Sequence, residues 1–77
     1  MEPTALELHT ELMNEARQLR AAWFRAADID AARTNTRRID GFKIHWGHPM
    51  DNFSLTDYTA ARAAWNELVA DLPQKEH

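Results

Sequence analysis

The segment His45-Trp46-Gly47-His48-Pro49-Met50-Asp51 places two imidazoles and a carboxylate close together in the chain. Imidazole nitrogens and carboxylate oxygens are ligands for a divalent ion, and three protein ligands with an open fourth position suit metal-assisted hydrolysis. No regular element fixes their mutual geometry, however: His45 reads as strand, His48 and Asp51 read as loop, and His9, a possible fourth ligand, lies far off on the first helix. The expectation is therefore no metal and no cofactor, with a metal-binding protein built on His45, His48 and Asp51 as an alternative. Nucleophilic chemistry has less to work with. There is no Cys, Ser54 reads as a helix cap, and no glycine-rich elbow surrounds it. Gly41 and Gly47 are the only glycines, which excludes a phosphate-cradling loop. Asp28 and Asp30 flank Ile29 and read as residues that end a helix rather than as an acid/base pair. No catalytic residue and no enzymatic activity are expected.

Two other features could carry binding. Arg33, Arg37, Arg38 and Lys43, with His45 beside them, form a local cationic excess in a chain of net charge −3. Such a set can meet an acidic protein surface or nucleic-acid phosphates, or can simply protect an exposed strand edge. Leu6, Met13 and Phe24 fall off the main apolar stripe of the first helix by about 100° and form a second strip that awaits another chain. The expected interface is accordingly Leu6, Met13 and Phe24 for apolar contact and Arg37, Arg38 and Lys43 for polar contact.

The elements that must position these residues follow from pattern. Thr4-Ala5-Leu6-Glu7 has the form of a capping box, and Leu8, Leu12, Leu19, Trp23 and Ala26 follow a 3.6-residue period, predicting a helix to about Ala32. Its acids precede its bases, as the helix dipole favours. Asp40-Gly41 then separates the runs Thr34–Ile39 and Phe42–Trp46, the strongest short-range signal for a β-hairpin. A two-residue turn would put Ile39, Phe42, Ile44 and Trp46 on one face and Arg38, Lys43 and His45 on the other. After a breaker-rich loop from Gly47, Ser54-Leu55-Thr56-Asp57 is a second capping box. Tyr58, Ala61, Trp65, Leu68 and Leu72 continue it as a helix ended by Pro73. The expected fold is a single α+β domain, helix–hairpin–helix (αββα), over residues 4–73, with 1–3 and 74–77 frayed and the three tryptophans buried between helices and ribbon.

Composition sets the bounds. At 77 residues, 44% hydrophobic and 27% charged, the chain is globular in character, and without Cys it must hold together by packing alone. A pI near 5.7 argues against a dedicated nucleic-acid binder. Charges interrupt every apolar run and no positively charged leader precedes one, so neither a membrane span nor a signal peptide is expected.

An acid-capped helix, a hairpin closed at Arg37-Arg38-Ile39-Asp40-Gly41-Phe42-Lys43-Ile44 and a capped helix from Ser54 to Leu72 resemble the gpW-like head-to-tail joining proteins of tailed phages. The likeness covers about two thirds of the chain and lies in element order and hairpin placement. It implies a non-catalytic αββα protein that works as copies in virion assembly, with the cations and the second apolar strip as contacts to neighbouring subunits. The Gly47–Phe53 connection is longer than that pattern has. The expected function is thus a protein–protein assembly module, in the form the resemblance implies a virion head-to-tail connector, in the cytoplasm or the virion. Self-association or a larger assembly is the expected partnership, with nucleic acid through the cationic hairpin as a lesser possibility and no membrane. A small monomeric inhibitor or regulator of one host protein is the rival reading.

Overall fold

The computed structural model describes residues 2–72 and contains three helices: α1 over Ala5–Phe24, α2 over Ile29–Trp46 and α3 over Leu55–Asp71. Both expected capping boxes are present. The Thr4 hydroxyl accepts the Glu7 backbone N–H at 3.1 Å while the Glu7 carboxylate accepts that of Thr4 at 2.8 Å. Ser54 and Asp57 make the same reciprocal pair at the start of α3, at 3.3 and 3.0 Å. These side chains satisfy amide donors that the first turn leaves unpaired.

The middle of the chain corrects the expected α+β class. Among the described residues there is no strand, and the domain is all-α, not αββα. The first helix stops at Phe24 rather than near Ala32. After the turn Arg25–Asp28, the Asp28 carboxylate accepts the Ala31 N–H at 3.0 Å and starts a new helix. Asp28 therefore ends nothing; it is a cap, with Asp30 in the first turn it opens and Lys43 and His45 in the last, where their charges oppose the helix dipole. Asp40-Gly41 sits inside this helix. Gly41 has no positive φ, and a Cβ built on it would meet nothing within 4 Å. The helical period was there to read: Ala32, Asn35, Ile39, Phe42 and Trp46 recur at three and four, and every one is buried or half-buried. Buried Asn35 hides that stripe in the sequence, and a glycine costs a helix only about 1 kcal/mol relative to alanine, too little to outweigh burial of Ile39 and Phe42. The hairpin's apolar face is corrected with it, since Ile39 and Phe42 are buried while Ile44 is exposed.

The bundle runs up, down, up. His9 meets the end of α2 through the Trp46 carbonyl, Arg20 reaches Asp40, and Arg38 reaches Asp71, so α2 is antiparallel to both neighbours. Leu12, Met13 and Ala16 of α1, Ile39 and Phe42 of α2, and Ala61 and Trp65 of α3, with Leu72, form one buried cluster. The rings of Phe42 and Trp65 stand 5.0 Å apart and tilted by 47°, a geometry that adds about 0.5–1.5 kcal/mol to their area burial. Only Trp65 of the three tryptophans is fully buried; Trp23 and Trp46 pack against the cluster from its edges. Asn35, 1% exposed, leaves its Nδ2 donor without a partner among the described residues, which costs about 1–3 kcal/mol. One Arg–carboxylate pair joins each pair of helices: Arg20–Asp40 for α1 and α2, Arg38–Asp71 for α2 and α3, and Arg62–Glu15 for α3 and α1, each at 2.6 Å. α3 ends at Asp71 with Leu72 extended, and the expected stop at Pro73 and frayed Gln74–His77 lie outside the described residues.

The two glycines test the helical assignment with opposite signs. Gly41→Ala should stabilise by about 1 kcal/mol and raise Tm by about 4–8 °C, because the helix gains propensity and nothing is displaced. In a type I′ hairpin the same change would destabilise. Gly47→Ala should lower Tm, because its Cβ would overlap the Lys43 carbonyl oxygen, to which the Gly47 N–H already donates. Thermal melts of both variants by circular dichroism decide it.

The first cap has a pH signature. The backbone N–H of Thr4, and then its hydroxyl, hold the Glu7 carboxyl below its ordinary value of 4.5. A carboxyl whose folded pKa is depressed stabilises the folded state above its unfolded value, and loses that contribution as pH falls through the folded one. An NMR titration of Glu7 should therefore give a midpoint below 4.5, moving upward in Thr4→Ala. An unshifted midpoint in the unaltered chain would mean the box is open in solution.

Candidate functional site

Because Ile39 and Phe42 turn inward, the opposite side of α2 is set by geometry at about 100° per residue: Arg33, Arg37 and Ile44 share its outward face. Next to them, across the seam with α1, lie Phe24 and Arg17. Phe24, Ile29 and Ile44 are 71%, 69% and 74% exposed, far more than large apolar side chains that serve a core. Phe24 and Ile29 flank the α1–α2 turn, and with Arg33 and Thr36 they line a depression of about 340 Å³. Towards the other end of the seam Met13, Arg17, Lys43 and Ile44 line a second one, of about 250 Å³. Between the two, Arg20 forks onto Asp40 through Nε at 2.6 Å and a terminal nitrogen at 3.2 Å, and its guanidinium carbon stands 6.0 Å from the Phe24 ring centroid. The hydrogen bond to Asp40, reinforced by its charge, raises the Arg20 pKa further above its already high value.

The cations divide by use. Arg20, Arg38 and Arg62 are spent on the interhelical pairs, whereas Arg17, Arg25, Arg33, Arg37 and Lys43 make no ion pair among the described residues; Arg17, Arg33 and Lys43 line the two depressions of the α1–α2 seam, and Arg37 lies beside them on the outward face of α2. Arg17 is bonded only to the neutral Asn14 side chain, at 2.8 Å. The α1–α2 face is thus both apolar and positively charged, with Asp28 and Asp30 near its turn making no ion pair among the described residues.

The expected interface residues scatter on this frame. Phe24, Arg37 and Lys43 belong to the face. Met13 is 8% exposed and part of the core cluster, so the apolar strip of α1 is interrupted at its centre. Leu6 is exposed but lies about 27 Å from Phe24 along the helix, at 1.5 Å per residue, and so at the other end of the bundle. Arg38 points to α3, where its bond to Asp71 borders an open surface depression of about 550 Å³ that Glu67 also lines, so its one cation is already paired there. Arg33, named in the cationic set but not among the expected interface residues, lies on the face, and Ile29, Ile44 and Arg17 join it unexpectedly. For Arg33 and Ile44 the signal is their spacing with Arg37 at four and seven, visible only once Asp40-Gly41 is accepted as helix.

The histidines do not assemble. His45, His48 and Asp51 are exposed, and among the described residues no three His, Asp or Glu side chains converge as a metal site would need. His9, so distant in sequence, is brought to the same end of the bundle, but its Nε2 donates to the Trp46 carbonyl at 2.7 Å and its ring packs edge-on against Phe53 at 5.3 Å. It fastens the loop before α3 to α1. No helix among the described residues is long and apolar enough to cross a membrane. Compared with protein-family models, curated proteins and solved structures, the chain matches none.

If the exposed apolar residues serve binding and not folding, their removal should leave stability alone. Phe24→Ser, Ile29→Ser and Ile44→Ser should each change unfolding free energy by no more than about 0.5 kcal/mol, against about 2–5 kcal/mol for Ile39→Ala. Urea unfolding of the four variants makes the comparison, and a loss at Ile44 as large as at Ile39 would place it in the core instead.

Proposed function

We propose that the chain is a non-catalytic protein-interaction module, acting in the cytoplasm or within a larger particle such as a virion, and that the α1–α2 face is its docking surface. The observation that carries the reading is the coincidence of Phe24, Ile29 and Ile44, each about seven-tenths exposed, with Arg17, Arg33, Arg37 and Lys43 on one side of the bundle. Exposed aromatic and aliphatic side chains cost solubility unless a partner covers them, and a rim of cations gives such a patch orientation and a faster encounter with an acidic surface. The face is mixed in polarity, and its two depressions are open to solvent. It offers no enclosed cavity in which water could be excluded from a reaction. A virion connector rested on the hairpin Arg37–Ile44, which is helical, so the proposal stops at assembly and names no particle part.

Photo-crosslinking tests it. With p-benzoylphenylalanine replacing Phe24 or Ile44, irradiation in the cells that make the protein should give discrete adducts. The same probe at exposed Gln18 or Ala63, on other faces, should give none. Adducts of equal yield at all four positions, or none at any, would overturn the docking face.

A further inference from the structure

Charge along this chain is sorted by position in the fold. Residues 13–45, which make most of the α1–α2 hairpin, hold Arg17, Arg20, Arg25, Arg33, Arg37, Arg38 and Lys43 against four carboxylates. Residues 2–12 and 46–57, which form the end of the bundle where α1 and α3 begin and α2 stops, hold Glu2, Glu7, Glu11, Asp51 and Asp57 and no Lys or Arg. That acidic end has its own apolar set. Leu6, Met50 and Leu55 are each half or more exposed. With Phe24, Ile29 and Ile44 they complete the large exposed hydrophobics of the described chain, three within the basic stretch and three within the acidic ones.

Resting on the docking face proposed above, we infer that its occupant is the acidic end of a second copy of this chain, bound head to tail. The two patches match in kind, apolar centre with charged surround, and are opposite in sign. Pairing like with like across a two-fold axis would set Arg33 and Arg37 against their own counterparts, and is opposed by charge. A head-to-tail contact instead leaves one patch of each kind free, so it propagates, closing into a ring or running on as a filament according to its rotation. Area permits it. A contact of standard size takes about 800 Å² from each partner, a small part of the 5743 Å² that the chain exposes.

The test uses two variants of the full chain, each disabling one patch at exposed sites away from the caps. Arg37→Glu with Ile44→Glu spoils the basic face; Met50→Ser with Asp51→Ser spoils the acidic end without giving it a charge that the altered basic face would attract. In sedimentation velocity at up to about 1 mM the unaltered chain should form species larger than a dimer, weakening about tenfold or more in affinity between about 50 and 500 mM salt, since exposed charge pairs are screened over that range. Each variant alone should stay at the 8.9 kDa of one chain, while an equimolar mixture should give a dimer and nothing larger, because one good patch of each kind remains. Circular dichroism establishes that both variants fold. If the unaltered chain stays monomeric, or the mixture forms no dimer, the inference is overturned. If either variant alone still associates, the contact is not head to tail. A monomeric chain that nevertheless gives adducts with another protein from positions 24 and 44 loses the second copy and keeps the docking face; a chain with neither loses both.

Discussion

The burial of Ile39 and Phe42 in one cluster with Leu12, Ala16 and Trp65 fixes how α2 is rotated about its own axis, and most other features of the molecule follow from that rotation. With those two side chains inward, Asp40 lies towards α1, where Arg20 reaches it, and Arg38 lies towards α3, where it meets Asp71. Arg33, Arg37 and Ile44 are left facing water. A turn of α2 by one residue would bring Lys43 inward and expose Phe42, exchanging several buried apolar contacts for a buried charge, so the rotation is held by a difference of several kcal/mol.

Within that frame the ion pairs act less as sources of stability than as a sorting device. Exposed Arg–carboxylate pairs contribute about 0–1 kcal/mol each, and all three here are more than a third exposed. Their effect on the surface is larger. By pairing one cation at each helix junction they neutralise the seams α2–α3 and α3–α1, and among the described residues leave unpaired positive charge beside α1 and α2 alone. The same short list of arginines thereby separates a closed side of the bundle from an open one.

How much of this was legible in the sequence differs by element, for physical reasons. Both capping boxes and the apolar stripe of α3 could be read directly, because a cap is a local hydrogen-bond pattern and Ala61, Trp65 and Leu72 carry their period without interruption. α2 could not, because two residues concealed it. Asp40-Gly41 is strong turn chemistry that tertiary burial overrode, and Asn35 is a polar residue in a core position, which broke the visible stripe at its centre. Misreading that one element displaced the binding residues as well. Arg37 and Lys43 were found by charge alone, which does not depend on secondary structure, whereas Ile44 was assigned to the core because strand alternation put it beside Ile39. Met13 failed in the other direction: an off-stripe position on a helix flanked by two neighbours is still covered by one of them.

The turn Arg25–Asp28 joins two helices whose closest partnership is with each other, so the pairing of α1 with α2 closes a loop of only a few residues. Such local closure is fast and its entropic cost small, which sets this chain among rapid folders whose first structure is a helical hairpin. That hairpin already contains every residue of the positive apolar face. As the chain leaves the ribosome, every residue of the proposed docking face is therefore synthesised before α3, whose Trp65 then completes the packing that sets the rotation of α2.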